Sequence, residues 1–287
     1  MLLLCSEKVS RPIARDKRCW VCKIMANMNL RKLVVIIALF VGVTGQVCKA
    51  QQITVAAAAD LQFVLQDVAT RFQKETGKTV KLSFGSSGNF FHQFQNGAPF
   101  DMFFSANLDY PKKLEAAGLI EPGTFYQYAS GKIVIWIPNN SKLDLTSGLQ
   151  SLLNPAIRKI AIANPQHAPY GQAAVAAMKK EKVYDEVADK LVLGENISQT
   201  ASFVVSGAAD AGIVALSLAL SPNMKDKGRY AEIPGADYLP IEQACVILKS
   251  SQQKDTAKAF LNFIKTPAVA ELFRTYGFDV PSGSTSQ

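Results

Sequence analysis

The stretch Phe84-Gly85-Ser86-Ser87-Gly88-Asn89 joins a predicted strand to a predicted helix. Residues 79–84 carry β-branched and aromatic side chains in partial alternation, which is typical of a strand. Residues 89–95 predict a short helix, because Asn96-Gly97 follows as a C-terminal signal. The glycines let a ligand approach closely, and the serine hydroxyls add donors to the free N–H groups of the helix start. The junction therefore predicts an anion site, with a simple capped turn as the alternative.

Three further predicted strands are each followed by polar or small residues and then by a helix. The strands are residues 53–59, 160–163 and 191–193, and the helices are residues 61–74, 172–180 and 200–205. With the first junction, these units predict an α/β fold whose strands are mostly parallel. In such sheets the ligand crevice lies at the carboxyl ends of the strands, so the turns after the strands are candidate binding segments.

The order of the predicted elements indicates two lobes. A chain with 48% hydrophobic and 19% charged residues is typical of a globular protein. Lobe 1 is expected to comprise residues 51–131 and 241–287, and lobe 2 residues 132–240. The apolar strand 132–137 makes the first crossing between them, and the chain returns at residue 241. Two crossings predict a hinge that closes on a ligand.

The N-terminal segment has the pattern of a signal peptide. A basic region at residues 28–32 precedes an apolar run at 33–43, and Cys48-Lys49-Ala50 places small residues where a signal peptidase reads. We therefore expect a signal peptide over residues 28–50 and a periplasmic location, with an uncleaved membrane anchor as the alternative. Residues 1–27 are interpreted as a spurious N-terminal extension.

The net charge depends on this leader. Residues 1–50 hold 9 of the 31 Lys and Arg and 2 of the 23 Asp and Glu, so their removal reduces the net charge from +8 to +1. A nucleic-acid partner is therefore not expected. The remaining chain keeps a single cysteine, Cys245, in an apolar run, which predicts a buried structural thiol and no intrachain disulfide.

Several motifs together resemble the periplasmic molybdate-binding proteins of ABC importers. The resemblance covers residues 53–278 and is carried by Ala57-Ala58-Ala59-Asp60-Leu61, Gly85-Ser86-Ser87-Gly88, Asn96-Gly97-Ala98-Pro99-Phe100-Asp101, Asn164-Pro165-Gln166-His167-Ala168-Pro169-Tyr170-Gly171 and Ala211-Gly212-Ile213-Val214. It implies a two-lobed type II periplasmic binding protein fold, with each lobe a mixed, mostly parallel sheet flanked by helices. It also implies capture of molybdate or tungstate for a permease in the inner membrane. We expect a monomer without a cofactor.

The resemblance also implies which residues hold the oxyanion. Ser87 matches a serine that donates through its hydroxyl and its backbone N–H, and Tyr170 and Ile197 match positions that donate through the backbone N–H. No direct metal ligand is implied, because molybdate is held through its oxygens. Neutral donors suffice in a water-poor cleft, since hydrogen bonds to an ionised acceptor are strong.

Two positions depart from the family pattern. Asp60 stands where the family commonly has a ligand-binding Ser or Asn, and Ala215 replaces a tyrosine. Asp60 is interpreted as a helix cap whose backbone N–H still faces the cleft; the alternatives are a protonated carboxyl that donates to the ligand, or a different ligand. Ser86, Ala215 and Ser217 are further candidate site residues.

The alternatives to a molybdate-binding protein are the same fold binding another oxyanion or a small organic anion, sulfate-like or carboxylate, and a serine-dependent hydrolase. The hydrolase is disfavoured, because the sequence has neither GxSxG nor a P-loop, and His92 lies on a helix predicted to point away from Ser87. His92 and His167 are interpreted as surface or turn residues. We therefore predict a binding protein rather than an enzyme.

Overall fold

The computed structural model of the protein describes residues 51–281. The predicted extension at residues 1–27 and the predicted signal peptide at residues 28–50 lie outside the described residues, as do residues 282–287. The described residues form two five-stranded sheets with helices around them.

The bounds of the elements follow the chain in order. The strands are β1 (Gln52–Ala58), β2 (Thr79–Gly85), β3 (Met102–Ser105), β4 (Tyr126–Gly131), β5 (Ile133–Pro138), β6 (Ile160–Ala163), β7 (Leu191–Gly194), β8 (Ala211–Ala215), β9 (Gly228–Glu232) and β10 (Ile241–Ile247). The α-helices are α1 (Gln62–Thr76), α2 (Ser87–Gln95), α3 (Asp109–Ala116), α4 (Pro169–Lys180), α5 (Tyr184–Val187), α6 (Ile197–Val205), α7 (Leu216–Ala219), α8 (Lys254–Ile264) and α9 (Pro267–Thr275). Short 3-10 helices cover Ala59–Leu61, Gly148–Leu153, Ala188–Lys190 and Gly235–Asp237.

The two sheets share one topology. The first has the order β2-β1-β3-β10-β4 and the second β7-β6-β8-β5-β9. In the first sheet only β10 runs against the other four strands, and in the second only β5 does so. These two strands directly follow the places where the chain passes from one sheet to the other. The predicted fold of two mixed, mostly parallel sheets is confirmed.

Helices cover both faces of the first sheet, and its strands alternate accordingly. Val55 and Phe104 pack into one core cluster, while the neighbouring Ala56 and Phe103 pack into another. In the second sheet, residues 133–137 of β5 are all buried, which is why this strand reads as an unbroken apolar run. We name each sheet with its helices a half of the molecule.

Three helices begin earlier than the sequence predicts. Helix α2 begins at Ser87 rather than Asn89, α4 at Pro169 rather than Gln172, and α6 at Ile197 rather than Thr200. Proline suits the first position of α4, and the side chain of Asn196 caps α6. Strand β9 has no counterpart among the predicted elements, because its exposed polar residues form an edge of the sheet. The earlier starts place Ser87, Tyr170 and Ile197 in first helical turns.

Candidate functional site

The turns after strands β1, β2, β6 and β7 meet at one cavity between the halves. The wall residues are Ala58, Ala59, Asp60, Gly85, Ser86, Ser87, Ala106, Ala168, Pro169, Tyr170, Asn196 and Ile197. The structure therefore brings together all four primary residues of the predicted site: Asp60, Ser87, Tyr170 and Ile197. These turns lie at the carboxyl ends of their strands, where ligands bind in open α/β sheets.

Ser87 lines the cavity with a hydroxyl group and a backbone N–H. It is the first residue of α2, so its backbone N–H has no acceptor within the helix. Its Oγ accepts a hydrogen bond from the backbone N–H of Ala106 at 2.9 Å. This contact orients the hydroxyl and leaves its proton for another acceptor, so Ser87 can offer two donors to one ligand.

Tyr170 contributes to the site in two different ways. It follows Pro169 in the first turn of α4, so its backbone N–H belongs to the donors that a helix leaves unpaired. Its phenol points elsewhere, donating to Oδ2 of Asp60 at 2.9 Å in a fully buried position. The side chain therefore links the two halves, and the backbone N–H remains available to a ligand in the cavity that Tyr170 lines.

Ile197 is the first residue of α6. The Oδ1 atom of Asn196 accepts from the backbone N–H groups of Ser198 and Gln199, both at 3.0 Å. The cap thus satisfies the second and third N–H groups and leaves the first, that of Ile197, for a ligand. The apolar side chain of Ile197 is buried.

Ser86 links the halves. Its hydroxyl donates to the backbone carbonyl of His167 at 2.5 Å, and Nδ1 of His167 lies 2.9 Å from the same oxygen of Ser86. The N–H of Gly88 donates to the carbonyl of His167 at 3.0 Å. His167 does lie in a turn, as predicted, but that turn is a contact point between the halves. The Ser86 hydroxyl is therefore already occupied, although Ser86 lines the cavity.

Asp60 does not cap a helix, and that interpretation is wrong. Its Oδ2 accepts from the phenol of Tyr170 at 2.9 Å and from Nε2 of Gln243 at 2.7 Å. Neither the 3-10 helix Ala59–Leu61 nor α1 has a side-chain cap. Its other oxygen, Oδ1, is buried and has no hydrogen-bond partner among the described residues. Contacts from two distant segments thus override the local capping pattern.

The environment of Asp60 favours its neutral form. Burial raises the pKa of the Asp60 carboxyl from 3.8 to about 6, although the hydrogen bonds from Gln243 and Tyr170 favour the ionised form. Burial, and then the charge of Asp60, hold the pKa values of Tyr170 and Tyr128 well above 10.0. Both phenols therefore stay protonated and remain donors.

Two of the further candidates do not line the cavity. The hydroxyl of Ser217 donates to the backbone carbonyl of Asp60 at 2.8 Å, so it supports the wall from behind. Ala215 ends strand β8 and is fully buried. The structure therefore gives Ser217 a supporting contact, and it places neither Ser217 nor Ala215 among the wall residues.

Sequence reasoning missed Gln243 and Tyr128. Gln243 is fully buried in β10; its Nε2 lies 3.1 Å from the phenol of Tyr170, and its Oε1 accepts from the phenol of Tyr128 at 2.9 Å. A polar residue inside the apolar stretch 241–248 is the signal that could have identified Gln243, because buried amides need hydrogen-bond partners. Tyr128 carries no comparable signal.

Within residues 51–281, no group of three or more His, Cys, Asp or Glu side chains is arranged to hold a metal ion. In the same part of the chain, every helix falls short of the length and apolar character that a membrane span requires. Cys245 is a buried, free cysteine.

The pattern of the whole sequence decides the family. A family model for bacterial extracellular solute-binding proteins matches residues 53–279. The chain belongs to this family. Its members are binding proteins, and the match spans both sheets and all the turns that line the cavity.

Individual relatives agree with the motifs. The chain is 36% identical over 252 residues to the molybdate-binding protein ModA of Azotobacter vinelandii, covering 88% of this chain and 98% of that protein. It is 38% identical over 229 residues to ModA of Rhodobacter capsulatus, covering 80% and 88%. The solved structure of the periplasmic molybdate-binding protein of Azotobacter vinelandii matches with a TM-score of 0.76 at 35% identity, covering 80% of this chain and 100% of that one. The resemblance predicted from the motifs is confirmed.

Proposed function

We propose that the protein binds molybdate, or tungstate, in the cavity between its halves and serves as the solute-binding component of an ABC importer. The observation that carries the proposal is the convergence of three helix starts, those of α2, α4 and α6, on one cavity. Each start offers an unpaired N–H group and a positive partial charge, which suits an anion. The molybdate-binding relatives supply the identity of that anion.

The composition of the wall suits an oxyanion held by neutral donors. None of the described residues that line the cavity is Lys or Arg. Ser87 offers a hydroxyl and an N–H, and Tyr170 and Ile197 each offer an N–H. Hydrogen bonds to a charged acceptor are roughly twice as strong as those between neutral groups, and a dry cavity strengthens them. Selection among tetrahedral anions then depends on the spacing of the donors.

Hydrolysis by a serine is a weaker candidate. The oxygen of Ser87 contacts the N–H of Ala106 rather than a base. Ser86 does contact His167, but it donates its proton to the carbonyl of His167 rather than to the ring. A nucleophilic serine needs a base that takes this proton and a third group that orients the base. We therefore propose a binding protein without catalytic activity.

We propose a periplasmic protein, exported through the signal peptide predicted at residues 28–50, which acts as a monomer. Its partner is an ABC permease in the inner membrane. Neither a cofactor nor a nucleic acid takes part.

Thermal shift measurements with matched anions test the ligand. At a concentration one hundred times its dissociation constant, a ligand adds about 2.7 kcal/mol of stability, which raises the Tm by roughly 5–10 °C for a chain of this size. We expect this rise with molybdate and with tungstate, and none with sulfate or phosphate at the same concentration. A larger rise in Tm with sulfate or with a carboxylate would show that this anion, rather than molybdate, is the ligand. No shift with any anion would contradict the proposed function.

A further inference from the structure

Asp60 carries a buried carboxyl oxygen that the described protein leaves unused. The residue is 1% exposed and lies in the cavity wall. Its Oδ2 accepts from Tyr170 and from Gln243, whereas Oδ1 has no hydrogen-bond partner among the described residues. An unpaired buried polar atom costs free energy, so an oxygen left in this state beside a cavity points to a contact with the ligand.

The groups around Asp60 offer no positive charge. Tyr170 faces it from α4, Gln243 from β10 and Ser217 from α7, while Tyr128 of β4 contacts Gln243 behind them. All four are neutral donors, and no ion pair to Asp60 exists in the described part of the chain. An ionised Asp60 would therefore place an uncompensated negative charge against an anionic ligand.

Only the protonated carboxyl is compatible with a dianion in this cavity. The two donors occupy Oδ2, so the proton belongs on Oδ1. There the hydroxyl would be a buried donor without an acceptor until a ligand oxygen accepts from it. Oδ1 of Asp60 thus repels a ligand oxygen when the carboxyl is ionised and donates a hydrogen bond to it when the carboxyl is protonated.

We propose that Asp60 takes up one proton from solvent when the protein binds its oxyanion, and that Oδ1–H then donates a hydrogen bond to a ligand oxygen. Asp60 is thereby a specificity-determining residue, because its protonated carboxyl donates to an oxygen of the anionic ligand. This inference rests on the proposed function, because it assumes that the cavity holds an oxyanion. In the net reaction, the protein with ionised Asp60 takes up one oxyanion and one proton. The product is the complex, in which the proton is bound to Asp60.

Proton uptake by Asp60 makes binding of the oxyanion depend on pH. Burial raises the pKa of Asp60 to about 6, so the carboxyl of the free protein is largely ionised at pH 7.5 and needs a proton before it can accept the anion. Binding then weakens as the pH rises through and above this pKa, by about tenfold per pH unit where the free carboxyl is ionised.

Asp60→Asn is the matched variant. The amide that this substitution introduces is close to the protonated carboxyl in shape; its oxygen can accept from Tyr170 and Gln243, and its NH₂ can donate to the ligand. The variant cannot titrate at this position. Because His167 and every other titratable group remain, the difference between the two proteins reports on Asp60 alone.

Isothermal titration calorimetry with sodium molybdate, between pH 6.5 and 8.5, tests the inference. At pH 8, titrations in two buffers of different ionisation enthalpy should report an uptake close to one proton per molybdate for the wild type and close to none for Asp60→Asn. The affinity of the wild type should fall about tenfold per pH unit over the upper part of the range, while that of the variant stays nearly constant.

The outcomes separate the two proposals. Molybdate binding by the wild type without proton uptake, and with a flat pH profile, would overturn the role of Asp60 and leave the proposed function intact. The proton count is measured on the wild type, so this result does not depend on the folding of the variant. If neither protein binds molybdate at any pH, the proposed function fails, and the inference fails with it.

Discussion

The two halves of the molecule have the same strand order but contribute differently to the cavity. The first half contributes side-chain chemistry, through the carboxyl of Asp60 and the hydroxyl of Ser87, together with the backbone N–H of Ser87. The second half contributes the backbone N–H groups of Tyr170 and Ile197. The side chain of Tyr170 is buried against Asp60, and that of Ile197 is buried in the hydrophobic core. The same fold thus forms one wall of the cavity mainly from polar side chains and the other from the backbone N–H groups of helix starts. The two kinds of wall should respond differently to substitution.

The largest expected effect concerns Asp60 and the stability of the protein. Because its pKa is raised from 3.8 to about 6 in the folded state, the folded state holds the proton more tightly than the unfolded state. Stability relative to Asp60→Asn should therefore be greatest below pH 4 and should fall as the pH rises from about 4 to about 6, by about 3 kcal/mol. Urea denaturation of both proteins across this range measures the difference.

Asp60→Asn is also the control here, since other carboxyl groups titrate in both proteins. Parallel stability curves for the two proteins would show that Asp60 titrates with an ordinary pKa when folded. They would contradict the raised pKa of the buried Asp60 carboxyl.

The next effect compares the two walls directly. Ser87→Ala removes a hydroxyl that can donate to the ligand, and should weaken molybdate binding by about 1.5–3 kcal/mol, or roughly 10- to 150-fold. Ile197→Val keeps the backbone N–H, so it should lower stability by about 0.5–1.5 kcal/mol without weakening binding. Calorimetric titration and urea denaturation measure the two quantities. Equal losses of affinity in both variants would show that the walls do not differ in this way.

A steric effect of similar size is expected at Gly88, where the backbones of the halves approach closely. A Cβ atom there would lie 2.7 Å from the carbonyl oxygen of His167 and 2.8 Å from the phenol oxygen of Tyr110. Gly88→Ala should therefore hold the halves apart and weaken molybdate binding by about 1–3 kcal/mol. Gly235→Ala is the control, because a Cβ atom at Gly235 meets nothing within 4 Å. Unchanged affinity in Gly88→Ala would show that molybdate binding does not require this close approach of the halves.

The smallest effect is expected at Ser86, whose hydroxyl contacts His167 between the two halves. Ser86→Ala should weaken molybdate binding by about 0.5–1.5 kcal/mol, since it removes a contact between the halves rather than a donor to the ligand. Ser206→Ala removes an exposed hydroxyl that bonds only within its own segment, and should have no effect. A loss for Ser86→Ala as large as that for Ser87→Ala would indicate that Ser86 contacts the ligand.

Much of the fold and part of the site could be predicted from the sequence. The apolar strands, the turns that follow them and the family resemblance placed Ser87, Tyr170 and Ile197 near one another. Such patterns are local, because a strand, a turn and a helix start each depend on a few neighbouring residues. The edge strand β9 escaped prediction, since its exposed polar residues lack an apolar pattern.

By itself, the sequence determined the alternation of strands and helices and the helix starts that suit an anion. Only the tertiary structure decided what Asp60 does. A carboxylate before a helix reads as a cap, but the partners of Asp60 are Tyr170, 110 residues away, and Gln243, 183 residues away. The structure likewise assigned Ser86 to the contact between the halves and Ser87 to the cavity. The physical reason is that hydrogen bonds depend on atoms that folding brings together, and no local periodicity encodes which distant residues will meet.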